Sequence, residues 1–356
     1  MLPFFTETET LWDRLARTQK PIVLYGMGLG AEKTLEALES RGLKAAEVFA
    51  SDEFVRGHSF RGYRVKKLSE LQSQYEDFFI LVTFAFWQQE LIDRVEALER
   101  RYELAMPHLP VVGRETVGLE DLQAHQGELL EAYGLLADEQ SRRVFAGVLN
   151  FQLSGKIGYI RRVTTPKSQA YQLLGVTRKE RYLDLGAYDG DTIRETMEAA
   201  KGPLERVVAV EPDPKNFRKL QAFAQGMEPP IQLLNVGVYD RDTQVRFANR
   251  AGRHAAVSRD GQGVLLPMRS IDSIAAGEAF TLIKMDVEGE EALALEGGRE
   301  QLSRFAPKLM VSAYHRNEDL YRLPLLIHQI QPGYRIYLRQ HPYLPAWDNN
   351  FYCKPG

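Results

Sequence analysis

The stretch YLDLGAYDGDT, Tyr182–Thr192, decides the fold. Tyr182–Leu185 reads as a buried strand. Gly186 and Gly190 follow at once, and a helix is expected from about Thr192 to Ala200. Glycine at a strand end lets the backbone come close to a ligand, and the helix that follows faces it with free N–H groups. Asp184, near the strand end, is placed to accept a hydrogen bond from an ammonium group.

Outward from this point the pattern repeats. Val207–Val210 is an apolar strand that ends in Glu211-Pro212-Asp213. Glu211 falls about twenty residues past the glycines, the position from which a carboxylate chelates two ribose hydroxyls. Ile231–Leu234 runs into Asn235-Val236-Gly237, and Thr281–Met285 into Asp286-Val287-Glu288-Gly289-Glu290-Glu291. Leu309–Ala313 ends in Tyr314-His315-Arg316. Five strands with polar residues at their carboxyl ends predict an open α/β sheet that binds its ligand in the crevice there, with right-handed crossovers. Tyr334–Leu338 and Asn350–Cys353 add two strands as a final antiparallel hairpin, and Thr243–Met268 reads as an inserted hairpin. The expected class is α/β, with a seven-stranded Rossmann-like sheet whose last strand is antiparallel.

A second glycine-rich unit precedes it. Ile22–Tyr25 is a short apolar strand; Gly26, Gly28 and Ala31 fit G-x-G-x-x-G/A, and Ala31–Ser40 reads as a helix. Val48–Ala50 leads to Asp52, where such folds place a ribose-binding acid. Phe78–Thr83 reads as a strand and Trp87–Arg101 as an amphipathic helix. Residues 1–105 are thus expected as a smaller Rossmann-like domain, 106–178 as a helical connector or lid with Asp138 as an N-cap, and 179–356 as the main domain. The first domain is open to three readings: an NAD-type site, a nucleotide or nucleotide-sugar site, or a structural module.

Composition narrows the function. The chain has 356 residues, 44% hydrophobic and 26% charged, with a formal net charge of −3. That charge, interspersed along the chain, argues against a nucleic-acid partner. Cys353 is the single cysteine, so neither an internal disulfide nor a cysteine-based zinc site can form. No apolar run approaches the roughly 20 residues of a membrane span. The first residues, MLPFFTETETLWDRL, carry early acids and no signal-like apolar core, so a cytoplasmic location is expected.

Four motifs, YLDLGAYDGDT, AVEPDPKNF (Ala209–Phe217), NVGVYD (Asn235–Asp240) and IKMDVEGEE (Ile283–Glu291), occur in order at proper spacings. Together they resemble the FkbM family of class I S-adenosylmethionine-dependent methyltransferases, over about Tyr171–Tyr352. The resemblance implies a methyltransferase sheet, S-adenosylmethionine as cofactor, and a hydroxyl acceptor on a sugar, glycolipid or polyketide. It implies that Asp184, Gly186 and Gly190, with Ala187, Tyr188 and Thr192 of the same motif, hold the methionine part. Glu211 with Pro212 would hold the ribose, and Asn235, Val236 and Gly237 would lie near the adenine. Tyr188 departs from the broader class I pattern, where many relatives have glycine. Residues Ala50–Ser69 similarly resemble small domains that bind nucleotide sugars.

Methyl transfer to an alcohol needs in-line alignment and help in removing the hydroxyl proton. The candidates are His315, first choice as base because imidazole titrates near neutrality, then Asp286, Glu288 and Lys284. Asp286 is assigned both to this group and to the cofactor pocket. Asp286 and Glu288 alternate along an extended segment and are expected to point apart. Lys284 is expected to pair with Asp286 or Glu211, or to reach the substrate. No metal ligand is assigned, although these acids with Asp189 or Asp191 could hold a hard cation. Arg339, His341, Tyr343 and Trp347 read as a polar–aromatic cluster. Two readings compete: a two-domain NAD(P)-dependent oxidoreductase using the first glycine loop, and a non-catalytic nucleotide-binding module. The spacing from Gly186 to Gly190 counts against the first. Asp184 and Glu211 count against the second. The partner expected is a small-molecule or glycan acceptor, with homo-oligomerisation left open.

Overall fold

The segment Tyr182–Leu185, apolar but for Asp184, lies in the interior of a seven-stranded sheet, as its burial on both faces demands. The computed structural model describes residues 2, 4–113, 116–248, 256–257 and 264–356. They divide into two compact units. The first comprises Met1–Gln126, Arg143–Thr164 and Pro342–Trp347, and the second Gly127–Arg142, Thr165–His341 and Asp348–Gly356. The stretch expected as a separate connector, 106–178, is therefore shared between the two units. None of the described helices is long and apolar enough to cross a membrane.

The first unit is built on β1 (Ile22–Tyr25), β2 (Glu47–Phe49), β3 (Ser59–Phe60), β4 (Tyr63–Lys66), β5 (Phe79–Val82) and β6 (Glu103–Ala105). Their order is β3-β4-β2-β1-β5-β6, all parallel except β3. This is a doubly wound arrangement whose strand order reverses between β1 and β5. Helices Leu11–Arg17 and Leu29–Glu39 cover one face, burying Leu11, Leu15, Ala31 and Leu38 against Leu24, Val48 and Leu81. Asp52 opens a short helical turn after β2 with its side chain 68% exposed and 3.8 Å from Lys67.

The second unit carries β7 (Arg181–Leu185), β8 (Arg206–Val210), β9 (Gln232–Leu234), β10 (Gly237–Val238), β11 (Thr243–Ala248), β12 (Ala256–Val257), β13 (Val264–Arg269), β14 (Leu282–Met285), β15 (Lys308–Ser312), β16 (Tyr334–Gln340) and β17 (Asn349–Pro355). The main sheet runs β16-β17-β15-β14-β7-β8-β9, parallel except for β17, which inserts antiparallel between β15 and β16. A second sheet, β10-β13-β11-β12, contains the expected hairpin as the antiparallel pair β11 and β13. Residues 249–255 and 258–263 of that insertion lie outside the described residues.

Alternation along the strands explains where the site lies. On one sheet face Tyr182, Leu282, Met310 and Tyr352 pack under helices Lys167–Leu174, Asp191–Ala200 and Pro214–Ala224, which contribute Ala170, Tyr171, Ile193 and Leu220. Moving two residues along each strand replaces these apolar groups with Asp184, Lys284, Ser312 and Asn350. A period of two keeps them on the same face. The apolar layer therefore ends in a polar row, with the carboxyl ends of β7, β14 and β15 beside the start of antiparallel β17.

The expected cluster of Arg339, His341, Tyr343 and Trp347 does not form one group, because Arg339 and His341 belong to the second unit and Tyr343 and Trp347 to the first. In the second unit the buried Arg339 guanidinium donates to Asp138 Oδ2 at 2.6 Å and to Ser141 Oγ at 2.8 Å. Asp138 accepts from the Ser141 amide at 2.8 Å, as expected of an N-cap. Asp138→Ala would leave a buried cation without its counter-charge. A loss of about 2 kcal/mol is expected, discounted because Asp138 is itself one-third exposed. Thermal unfolding should record a drop of about 4–8 °C, and an unchanged midpoint would show the pair to be energetically neutral.

Candidate active site

Asp184 and Lys284 face each other in register across β7 and β14. Lys284 Nζ lies 3.3 Å from Asp184 Oδ1 and donates to the Gly186 carbonyl at 2.6 Å. Asp184 is wholly buried, and neither of its oxygens accepts an aligned hydrogen bond. Burial raises its pKa, with Lys284 opposing. Burial also disfavours the charged lysine, but Asp184 and then Asp286 overcome this and hold Lys284 well above its ordinary value. Lys284 thus pairs with neither expected partner. As a fixed cation it cannot serve as a base.

The glycine turn is shaped by close approach. Gly186 has φ +79°, and a Cβ there would stand 1.9 Å from the Asp286 carbonyl oxygen. At Gly190, φ +89°, a Cβ would enter the Phe223 ring. Neither position admits a side chain. The Gly186 and Ala187 amides both donate to the Val210 carbonyl at 2.9 Å. Tyr188 takes φ +49°, a left-handed conformation that glycine adopts without strain. Its hydroxyl lies 3.2 Å from Lys219 Nζ. Gly190 is the N-cap of the helix Asp191–Ala200, and Asp191 is that helix's first residue.

Glu211 is buried at the end of β8, its Oε2 accepting from the Tyr188 amide at 2.9 Å and its Oε1 from the Asp213 amide at 2.8 Å. Burial pushes its pKa up to about 7, against the pull of those two amides. Asn235 Nδ2 donates to the carbonyls of Glu211 and Pro212 at 2.7 and 3.1 Å, binding the ends of β8 and β9 together. Val236 is half-buried, and Gly237 enters β10 against Met268.

Beyond β14 and β15 the expectation that Asp286 and Glu288 point apart fails. Glu288 has φ +56°, so the chain turns instead of continuing extended, and both carboxylates approach His315 Nε2, at 3.4 and 3.6 Å. Glu291 Oε1 lies 3.0 Å from the other ring nitrogen, Nδ1. His315 and Glu291 are both fully buried. Burial alone would lower the imidazole pKa, but Glu291, then Asp286 and Glu288, raise it to about 10. That elevation favours the doubly protonated ring at neutral pH, a form with no free lone pair to act as the base that the sequence suggests for His315. Asp286 would be raised by burial, yet Lys284 and His315 hold it below the ordinary carboxylate range.

Lys284 and Asp286 form one wall of an open cleft at the strand ends. Its other walls are Lys167, Tyr171, Thr192, Glu195, Met310, Ser312, Tyr314, Asp348, Asn350 and Tyr352. Tyr314 Oη donates to Asp286 Oδ1 at 3.1 Å, and Lys167 lies 3.1 Å from Glu195 and 3.9 Å from Asp348. Lys167, Glu195 and Asp348 come from three distant segments and carry no motif. Sequence reasoning missed them for that reason.

Residues 184–336 match the family model described as the methyltransferase FkbM domain. The solved structure of Methyltransferase FkbM from Methylobacillus flagellatus is 26% identical with a TM-score of 0.73, covering 99% of this chain and 95% of its own. Aeropyrum pernix fibrillarin, solved with natively bound S-adenosyl-L-methionine, gives 16% identity, a TM-score of 0.34, and coverage of 53% of this chain and 74% of its own. No curated protein matches.

Two outcomes are expected. Lys284→Met should cost about 3–5 kcal/mol at neutral pH by stranding Asp184. Denaturant unfolding would then show much of that loss recovered in Asp184→Leu/Lys284→Met; equal instability of both variants would deny the pairing its role. The second concerns pH. Because His315 binds its proton more tightly folded than unfolded, its contribution is full below about pH 6.5 and declines as pH rises, until it is gone near pH 10. Ring carbon NMR shifts of His315 should stay those of imidazolium through pH 8, whereas a midpoint near 6.5 would remove the carboxylate cage from the argument.

Proposed function

With residues 184–336 identified as an FkbM methyltransferase domain, we propose that the second unit transfers a methyl group from S-adenosylmethionine to a hydroxyl of a polyhydroxylated acceptor such as a sugar. The observation that carries this reading is the cleft at the strand ends, where Asp286 joins the turn after β14 to a wall of hydrogen-bonding groups.

The residues suit the cofactor. Asp184 is a buried carboxylate with unfilled acceptor sites, which an ammonium group can occupy. Each Glu211 oxygen accepts one backbone amide and keeps a lone pair for a ribose hydroxyl. The bare backbone at Gly186 and Gly190 leaves room for a close neighbour. Held by these residues, S-adenosylmethionine would supply a methyl carbon on a sulfonium sulfur for transfer to the acceptor oxygen, with the C–S electron pair staying on sulfur and the hydroxyl proton leaving to water.

The chain's own part is alignment and charge. Asp286, ionised at neutral pH, accepts the acceptor hydroxyl's hydrogen bond while Tyr314 holds the carboxylate in place. Ser312, Asn350, Glu195 and Asp348 offer further partners to neighbouring hydroxyls. A pocket lined this way favours an acceptor with several hydroxyls over an apolar one, whose burial would strand these polar groups.

Calorimetric titration with S-adenosylhomocysteine tests the cofactor assignment. The parent should bind, and Glu211→Ala should weaken binding by about 100-fold, the worth of two hydrogen bonds to a charged group. Affinity should also fall as pH drops through about 7, where Glu211 takes up its proton, and Glu211→Gln should flatten that dependence. Equal binding by Glu211→Ala would move the ribose elsewhere.

A further inference from the structure

The end of β16 and the strand β17 carry a hydrogen-bond chain that the proposed reaction leaves unused. His341, wholly buried, follows Gln340 at the end of β16, and its amide donates to the Asp348 carbonyl at 2.9 Å. Its ring Nδ1 lies 2.9 Å from the Thr165 carbonyl oxygen and its Nε2 2.6 Å from Tyr352 Oη. Thr165 is itself held, its amide donating to the Gln340 carbonyl at 2.8 Å. Tyr352 is also a wall of the cleft that contains Asp286. We propose that Tyr352 is a specificity residue of this cleft. His341 fixes its phenol oxygen as a hydrogen-bond acceptor, which selects molecules carrying a second free hydroxyl besides the one that meets Asp286.

Polarity runs one way along the chain. A backbone carbonyl only accepts, so Nδ1 carries the ring hydrogen. In the neutral imidazole Nε2 is then bare, and the phenol 2.6 Å away donates to it. The Tyr352 proton is thereby committed to the buried ring, and what the phenol offers a ligand is lone pairs. An unrestrained tyrosine hydroxyl rotates to suit either a donor or an acceptor. Tyr352 is denied that freedom. The two rings stand edge to face, 75° apart in plane with centroids at 5.8 Å, a packing that holds both.

The surroundings favour the neutral ring. His315 has carboxylates at both nitrogens, whereas His341 has a carbonyl at one and a phenol at the other. Burial lowers the His341 pKa and Lys167 adds to this, against Asp348, the Thr165 carbonyl and Glu195. Burial, then Asp348, Tyr171 and Glu195, raise Tyr352 well above its ordinary value against Arg339, so the phenol keeps its proton.

The consequence deepens the methyltransferase reading and rests on it. A carboxylate at Asp286 and a phenol oxygen at Tyr352 give one cleft two acceptors, which two free hydroxyls on one molecule satisfy together. A methyl ether or a deoxy position at the second point leaves the phenol oxygen unpaired. In acid the direction reverses: a protonated His341 donates from Nε2, and the phenol proton turns toward the ligand.

The experiment uses the full chain with isotopically labelled histidine, and methyl α-D-glucopyranoside as probe. Nitrogen NMR at pH 8 should show His341 neutral with its hydrogen on Nδ1; a hydrogen on Nε2 overturns the proposal. Glucoside binding, read by saturation-transfer NMR, should weaken about 3–10-fold in Tyr352→Phe, the loss of one neutral hydrogen bond. The fully O-methylated glucoside should not distinguish that variant from the parent. His341→Gln, whose amide oxygen can accept the same phenol proton, should keep the affinity at pH 8. It should lose the decline that the parent shows as pH falls below the ordinary imidazole value of 6.5. Glu211, pushed up to about 7, is common to both proteins, so that difference belongs to His341. Tyr352→Phe keeps its ring in the core and carries the test if His341→Gln misfolds. Equal glucoside binding by Tyr352→Phe overturns the proposal, as does a parent that binds no glucoside at decimolar concentration. S-adenosylhomocysteine titrated into the same samples separates the two readings. Cofactor binding without glucoside binding removes only the hydroxyl recognition, and the reverse leaves that recognition and removes the methyltransferase assignment.

Discussion

The buried pair of Asp184 and Lys284 is the constraint on which the second unit turns. Opposite charges sit in register on adjacent central strands, so a slip of one residue would move each to the other sheet face and into apolar layers. The pair contributes little net stability on its own, because desolvation offsets attraction. What it supplies is uniqueness of register. Lys284 also donates to the Gly186 carbonyl, so the same cation anchors the turn that follows β7. Strand register, glycine turn and cleft floor are thereby set by one ammonium group.

Around that anchor the loops are locked by backbone contacts rather than by long side chains. Asp286 stands so near Gly186 that only a bare Cα fits, and Asn235 ties the ends of β8 and β9 through two carbonyls. Glu211 is fixed by two amides before any ligand arrives. Such preorganisation means little ordering remains to be done on binding. The one residue of the turn outside its preferred backbone region, Tyr188, carries strain of about 1–3 kcal/mol, and its ring lies 4.6 Å from Lys219 Nζ.

How much of this was legible in the sequence follows from what each feature depends on. Strands β7, β8 and β14 announce themselves as largely apolar runs with acids at or near their ends, and β15 as an apolar run leading into Tyr314-His315-Arg316, because a parallel strand buried on both faces has no other way to look. The antiparallel insertion of β17 was expected from the resemblance to the methyltransferase fold, not from the strand's own pattern. The partner of Lys284 was not, since adjacency of β7 and β14 across about a hundred residues is a property of sheet order and not of spacing. Glu288 misled because alternation holds only while the chain is extended, and its φ of +56° ends that at once. His315 misled because an imidazole pKa is a property of its cage. Glu291, the strongest element of that cage, looked from sequence like an ordinary residue of a helix's first turn.

In the proposed transfer, a methyl donor on a sulfonium needs little activation, so the burden falls on the acceptor hydroxyl and on alignment. The structure divides these tasks by depth. The deepest layer is Asp184 with Lys284, where burial raises the carboxylate pKa and the lysine opposes it. The next, Asp286 with Tyr314, carries a depressed pKa and so accepts a hydrogen bond without taking the proton outright. A weak base in that position acts by orientation and by its negative field, and it needs a second group to draw the proton away. His315 cannot be that group while charged, but its charge holds Asp286 ionised. On that proposal the His315 imidazole, raised by its carboxylate neighbours, is placed to keep Asp286 an acceptor.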